Sequence, residues 1–273
     1  MSFFDNFTSH QLIVAHRGFR SHYPENTLSA FTASIGRCHF IELDIQLSKN
    51  KVPMVIHDPT LDRTSDCKKH QNHFGISSSK VNEWTVSQLK TLDIGSWFVE
   101  RDPFKTIANK QITTEILNSK LPERVMTLEE VLEHPKLKNI PINIEIKDHA
   151  GSPDDKIVAA KVVELIQATK SESRILLSSF NHDYLLTSNA ISPAISTAAL
   201  QKYSHPEDIV GYLGKIGVEA YHSYYKITDE PLIQCLRAAG LWVNIFTVND
   251  KELQQSLFDA GATGILTDFP ELK

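Results

Sequence analysis

Cysteine is scarce in this chain of 273 residues. Only Cys38, Cys67 and Cys235 occur, and no two form a CxxC pair. An odd, scattered set excludes a disulfide scaffold and suits a reducing compartment, with all three thiols inert. No window reaches about 18 uninterrupted apolar residues, which excludes a simple membrane-spanning helix. Met1 to Gln11 carries no basic segment followed by a long apolar core, so no secretory signal is expected. These absences lead to the expectation of a cytoplasmic protein without stable membrane insertion. Positive charge is also in short supply, with 28 Lys and Arg against 33 Asp and Glu and a net charge of -5. That argues against a nucleic-acid partner or a polybasic membrane patch, yet leaves room for a local cationic pocket. No GxGxxG follows the first apolar run, so the dinucleotide fingerprint is missing. What is present is an ordinary globular composition, 41% hydrophobic and 22% charged, in a chain long enough to bury a substantial core.

Short apolar runs alternate with longer amphipathic ones. Strands are expected near 12–16, 40–46, 142–147, 174–179, 196–200, 218–222, 242–247 and 263–267. Helical patterns fall between most of them, about 26–36, 127–137, 154–170, 181–190, 206–215, 229–239 and 250–260. The segment Asp154 to Lys170 shows the logic: Asp154 or Asp155 can cap its start, and Ile157, Val158, Val162, Leu165 and Ile166 form one apolar stripe. Eight strand–helix alternations predict the α/β class and a (β/α)8 TIM barrel, as one domain over 1–273. One segment breaks the rhythm. After Glu42 and Asp44 the chain runs to Ser48, turns at Lys49-Asn50-Lys51 and re-enters an apolar run at Val52. The gap is too short for a crossover helix, so an antiparallel hairpin arm is expected. A turn centred near Asn50 sets His57 across from Leu43 and Asp44. Residues 58 to about 126 are too long for one βα loop and include Ser77-Ser78-Ser79, Trp84 and Trp97-Phe98. They read as a small inserted subdomain capping the same face.

Chemistry concentrates at the C-terminal ends of the early strands, where such barrels place their sites. His16 and Arg17 end the first strand. Glu42 and Asp44 are two apart on the second and share one face. Glu145 and Lys147 repeat that spacing on the third. Three converging carboxylates cannot all stay ionised without positive charge among them, and a hard divalent cation such as Mg2+ or Ca2+ suits carboxylate oxygens. The imidazole side chain has an intrinsic pKa near the operating pH, so His16 and His57 are candidate proton donor and acceptor. Arg17 and Lys147 can hold phosphoryl oxygens, Arg17 with a bidentate grip. Phe180 and Phe246 are candidates for an apolar wall beside a substrate, with core packing as the competing role. The other histidines lack this context and are assigned surface or packing roles.

With these residues in hand the chain resembles the glycerophosphodiester phosphodiesterase family. The resemblance rests on His16-Arg17-Gly18, Pro24-Glu25-Asn26-Thr27, Glu42-Leu43-Asp44, His57-Asp58, Leu61-Asp62-Arg63-Thr64 and Gly95-Ser96-Trp97-Phe98. It continues through Thr127-Leu128-Glu129-Glu130, Glu145-Ile146-Lys147, Ser179-Phe180, Phe246-Thr247-Val248-Asn249 and Gly264 to Pro270. It implies a TIM barrel with an insertion after the His-Asp motif. It also implies hydrolysis of a small-molecule glycerophosphodiester to glycerol 3-phosphate and an alcohol. The implied metal ligands are Glu42, Asp44 and Glu145, the implied acid and base are His16 and His57, and Arg17 and Lys147 match phosphate-contacting positions. Attack by water and attack by the glycerol's own neighbouring hydroxyl are both compatible with these residues. So is a homodimer. Two other readings compete: a lysophospholipase D-like lipid phosphodiesterase and a non-catalytic phosphate-ligand-binding barrel. The chain departs from the family at Phe246, where relatives often carry Trp, and in a long stretch from Ile107 to Arg124.

Overall fold

Period-two alternation sorts the strand residues between two cores, and this sorting builds the molecule. The computed structural model describes residues 2–272; Met1 and Lys273, the ends of the expected domain span, lie outside the described residues. In chain order the elements are β1 (Leu12–His16), α1 (Leu28–Ser34), β2 (Phe40–Leu47), β3 (Pro53–Val55), α2 (Cys67–Phe74), α3 (Val86–Leu89), α4 (Ser96–Arg101), α5 (Thr114–Asn118) and α6 (Leu128–Glu133). They continue with β4 (Ile142–Ile146), α7 (Val158–Ala168), β5 (Ile175–Ser179), α8 (His182–Ile191), β6 (Ser196–Gln201), α9 (Ile209–Ile216), β7 (Ala220–Tyr224), α10 (Glu230–Ala238), β8 (Trp242–Phe246), α11 (Lys251–Asp259) and β9 (Gly264–Thr267). Strand β3 runs antiparallel to β2, and the others pair in parallel. Because β1 pairs with both β2 and β9, the sheet closes into the expected eight-stranded parallel barrel.

Outward strand residues such as Ile41, Leu43 and Ile144 pack with Phe31, Leu128, Val162 and Ile166 from the surrounding helices. On the other half, Val243 and Ile245 meet Leu213, Leu236 and Leu257. Each such side chain contributes roughly 1.5–3 kcal/mol of burial. The inward residues Val14, Phe40, Leu176, Ala198 and Ala220 fill the lower barrel with Phe3 and Phe4. Those two come from a 3-10 turn, Phe3–Asn6, in which Phe4 stacks on Trp242 with ring centroids 4.3 Å apart. One step further along the strands the inward side chains turn polar: His16, Glu42, Asn143, Ser178 and His222. The apolar plug below and polar layers above give the barrel a reactive upper end.

The hairpin forms as expected, with Ile45 opposite Val55 and Leu47 opposite Pro53. The Ile56 N–H donates to the Asp44 carbonyl at 3.1 Å, which carries His57 to the level of Leu43. Residues 58–126 hold α2 to α5 and gather around two apolar clusters. Trp84, Leu61, Leu89 and Leu92 join the hairpin's Met54 and Ile56 in one, and Trp97, Phe98, Ile112 and Leu117 form the other.

Three helix starts lie two or more residues inside the expected ones, α9 among them at Ile209 rather than 206, with Asp208 as its cap. Helix α7 begins at Val158, not near Asp154. The Asp154 carboxylate is fully buried and taken by Lys51 at 2.5 Å and Asn82 at 3.1 Å, so it caps nothing. Helix α1 begins at Leu28 with Thr27 as its cap. Asn26 is drawn out of it, at φ 57°, because its amide is bound to Asp44.

Candidate active site

The corner after β1 sets the site. Arg17 has φ 56° and Gly18 φ 82°. A Cβ at residue 18 would lie 2.7 Å from the Ala30 carbonyl carbon, so glycine alone fits beneath α1. This sharp reversal aims the Arg17 N–H at Glu42 Oε2, 2.9 Å away. Strand register does the rest: His16 lies beside Glu42 and Asp44 beside Glu145.

Glu42, Asp44 and Glu145 each offer an oxygen within 4.8 Å of the other two. The sequence-derived ligand set is therefore brought to one place. Lys147 Nζ sits 2.6 Å from Asp44 Oδ1 and 2.5 Å from Glu145 Oε1. Arg17 Nε lies 3.2 Å from Asp44 Oδ2, which also accepts from Asn26 Nδ2 at 2.8 Å. Burial disfavours the Asp44 charge, but Lys147, Arg17 and His57 outweigh it and hold its carboxyl well below the usual range. Glu42 goes the other way. Burial pushes its carboxyl up, and the charges of Asp44 and Glu145 push it further. Its Oε1 is buried with no hydrogen-bond partner. An orphaned buried oxygen facing two more carboxylates is a donor set that fits a hard divalent cation.

Both candidate imidazoles are anchored through Nδ1. His16 meets Asp268 Oδ1 at 2.7 Å, and His57 meets Asp58 Oδ1 at 2.5 Å. Each Nε2 is the nitrogen left for chemistry. Burial and then the Arg17 charge lower the His16 pKa against the pull of Asp268, which favours a neutral ring. For Arg17 itself, burial opposes the charge while Asp44 and Glu25 outweigh it, so the guanidinium stays firmly protonated. Its Nη1 donates to Glu25 at 3.0 Å. Nη1 thus meets Glu25 and Nε faces Asp44, while Nη2 has no partner among the described residues. Both Nη2 hydrogens and the second Nη1 hydrogen are left to meet an incoming anion.

At the other side of the barrel mouth, Phe180 and Phe246 pack edge to face at 5.9 Å, and Tyr224 lies 5.8 Å from Phe246. Phe180 is 40% exposed, so it is no part of the core, whereas Phe246 also packs on the inner apolar cluster. Sequence reasoning passed over several participants. Asp58, Asp268, Glu25, Asn26 and Arg63 all stand in the quoted motifs, but nothing local shows what they bind. Arg20 carried no signal.

The glycerophosphoryl diester phosphodiesterase family model matches residues 16–272. The chain belongs to this family of phosphoric diester hydrolases. A glycerophosphodiester phosphodiesterase of Bacillus altitudinis is 33% identical over 265 residues, covering 95% of both chains. One from Bacillus subtilis (strain 168) is 29% identical over 272 residues, covering 96% of this chain and 84% of the relative. Among solved structures, an Oleispira antarctica phosphodiesterase in complex with its product sn-glycerol-3-phosphate superposes with TM-score 0.79 at 24% identity, covering 99% and 96% of the two chains. A Thermotoga maritima glycerophosphodiester phosphodiesterase gives 0.65 at 23% identity and 97% coverage of each. Those structural likenesses bear on the barrel of this family member. No helix among the described residues is long and apolar enough to cross a membrane.

Proposed function

We propose that the protein hydrolyses glycerophosphodiesters such as glycerophosphocholine to glycerol 3-phosphate and an alcohol, with His16 and His57 transferring the protons. Glu42, Asp44 and Glu145 would hold one divalent cation, Mg2+ or Ca2+. Such a cation, when bound, offsets the negative charge that builds on the phosphoryl oxygens. The observation that carries this reading is the convergence of three carboxylates beside two imidazoles, each anchored by its own aspartate.

The chain's residues divide the remaining work. His16, kept neutral by burial and Arg17, is suited to accept the proton of the attacking oxygen at Nε2. Asp268 stabilises the imidazolium that results. His57 is the more open of the two, with 29% of its side chain exposed against 13% for His16, and it protonates the departing alkoxide toward solvent. The free Nη2 of Arg17 and the ammonium of Lys147 hold phosphoryl oxygens as preorganised positive charge. Phe180 and Phe246 form the apolar wall beside the glycerol.

Residues 58–126 act as a cap within a single functional unit. Thr106 reaches Ser21 at 2.7 Å, and Phe104 packs on Phe269 at 5.7 Å, so the insertion is tied to the rim of the barrel. The test is release of glycerol 3-phosphate from glycerophosphocholine by the purified protein with Mg2+ or Ca2+, abolished by EDTA. Absence of turnover on every glycerophosphodiester tried with added metal would overturn the proposal.

A further inference from the structure

The two imidazoles come from distant parts of the chain, and so do their anchors. Asp268 follows β9, and Asp58 opens the insertion. No strand pairing ties Asp58 to Asp268. A side-chain network does. Arg20 Nη1 donates to Asp268 at 3.1 Å while its Nε donates to Glu25 at 3.0 Å. Arg63 holds Asp58 at 2.6 and 3.1 Å while its Nη1 and Nη2 reach Glu25 at 3.0 and 2.6 Å. Arg17 spans Glu25 at 3.0 Å and Asp44 at 3.2 Å. All three arginines therefore meet on one carboxylate, and each extends from it to a different acid of the site.

We propose that Glu25 is a positioning residue that fixes the candidate metal ligands and both imidazoles relative to one another through these three arginines. Glu25 accepts four N–H bonds, which fill the lone-pair sites of a carboxylate. It is 4% exposed and has nothing left to offer a substrate. Its role is therefore geometric. A buried carboxylate ringed by three guanidiniums, each with a second carboxylate beyond, alternates charge along every arm, so no charge is buried unpaired. The planar guanidinium fork fixes direction as well as distance, which an ammonium would not. The inference rests on the proton-transfer roles given to His16 and His57.

The test compares Glu25→Gln, Arg20→Lys, Arg63→Lys and the double Arg20→Lys/Arg63→Lys with His16→Ala and His57→Ala. All are full-length, assayed on glycerophosphocholine with the cation that serves the unaltered enzyme. In Glu25→Gln an amide nitrogen faces arginine donors. The expected result is a kcat lower by roughly 10²-fold, the scale of a small misplacement, with KM raised by a much smaller factor because Arg17 is the one arm that reaches the phosphoryl group, and cooperative unfolding retained. Each lysine variant should lower kcat, and the double should lose less than the product of the two, since both arms act through one carboxylate. If Glu25→Gln does not fold, the lysine pair decides alone. An unchanged kcat in Glu25→Gln, or losses in the lysine pair that simply multiply, would overturn the proposal. Full activity in the two histidine variants is a different failure, since it would remove the roles on which the proposal stands.

Discussion

At the level of single residues the site is defined by which nitrogen or oxygen each neighbour has claimed. His16 and His57 are each held at Nδ1, so truncation removes the Nε2 to which proton transfer is assigned in the proposal, together with its anchor's purpose. His16→Ala and His57→Ala are each expected to lower kcat by roughly 10²–10⁴-fold with the fold intact; a loss under tenfold would argue against proton transfer. Glu42 has one oxygen on the Arg17 N–H and one unpartnered. Glu42→Gln should weaken metal binding measured by calorimetric titration while leaving the Arg17 corner in place, and an unaltered isotherm would refute the ligand role. Lys147 sits between Asp44 and Glu145. Lys147→Met should make thermal stability depend more strongly on added cation, because two buried carboxylates lose their built-in positive partner. Equal stabilisation of variant and parent by Mg2+ or Ca2+ would contradict this.

At the level of elements, the strand ends were readable and several contacts across them were not. The spacing of Glu42, Asp44, Glu145 and Lys147 placed them on one face because side-chain alternation is a local property of an extended backbone. The hairpin that brings His57 to the site was legible from a gap too short for a helix. The start of α7 was not, because Asp154 is claimed by Lys51 and Asn82 from other elements. Inside the barrel, Asn244 on β8 donates to His222 Nε2 at 2.9 Å, and a Cβ on Gly264 of β9 would lie 2.3 Å from Asn244 Oδ1. Gly264→Ala should therefore displace Asn244 and cost about 1–3 kcal/mol. Equilibrium denaturation with an unchanged midpoint would refute that crowding.

For the molecule as a whole, acid stability follows from groups buried in unusual charge states. Burial lowers the His222 pKa to about 3. Between the ordinary histidine value, about 6.5, and that point, the unfolded chain binds a proton that the folded barrel refuses, so stability falls as pH falls. Asp58 contributes at lower pH. Burial raises its pKa, but His57 and Arg63 outweigh this and bring it to about 2. Its stabilisation is complete above the usual aspartate value and is lost as pH drops toward 2. Unfolding temperature should thus decline in two stages on acidification, and His222→Gln should flatten the upper one. Parallel curves for variant and parent would count against the histidine.

The amino-acid order by itself determined the barrel, the hairpin arm and the acidic trio, because alternation, turn length and strand spacing are properties of neighbouring residues. Only the closed structure decided that Glu25 would gather Arg17, Arg20 and Arg63, and that Asp268 and Asp58 would each hold an imidazole. Asp268 stands 252 residues from His16 and Arg63 38 residues from Glu25. Asp58, Arg17 and Arg20 are near their partners in sequence, yet each has several opposite charges in reach, and the choice among them is made by closure of β1 against β9 and by the seating of the insertion on the rim. Until those surfaces meet, nothing in the covalent sequence distinguishes one arginine's carboxylate from another's.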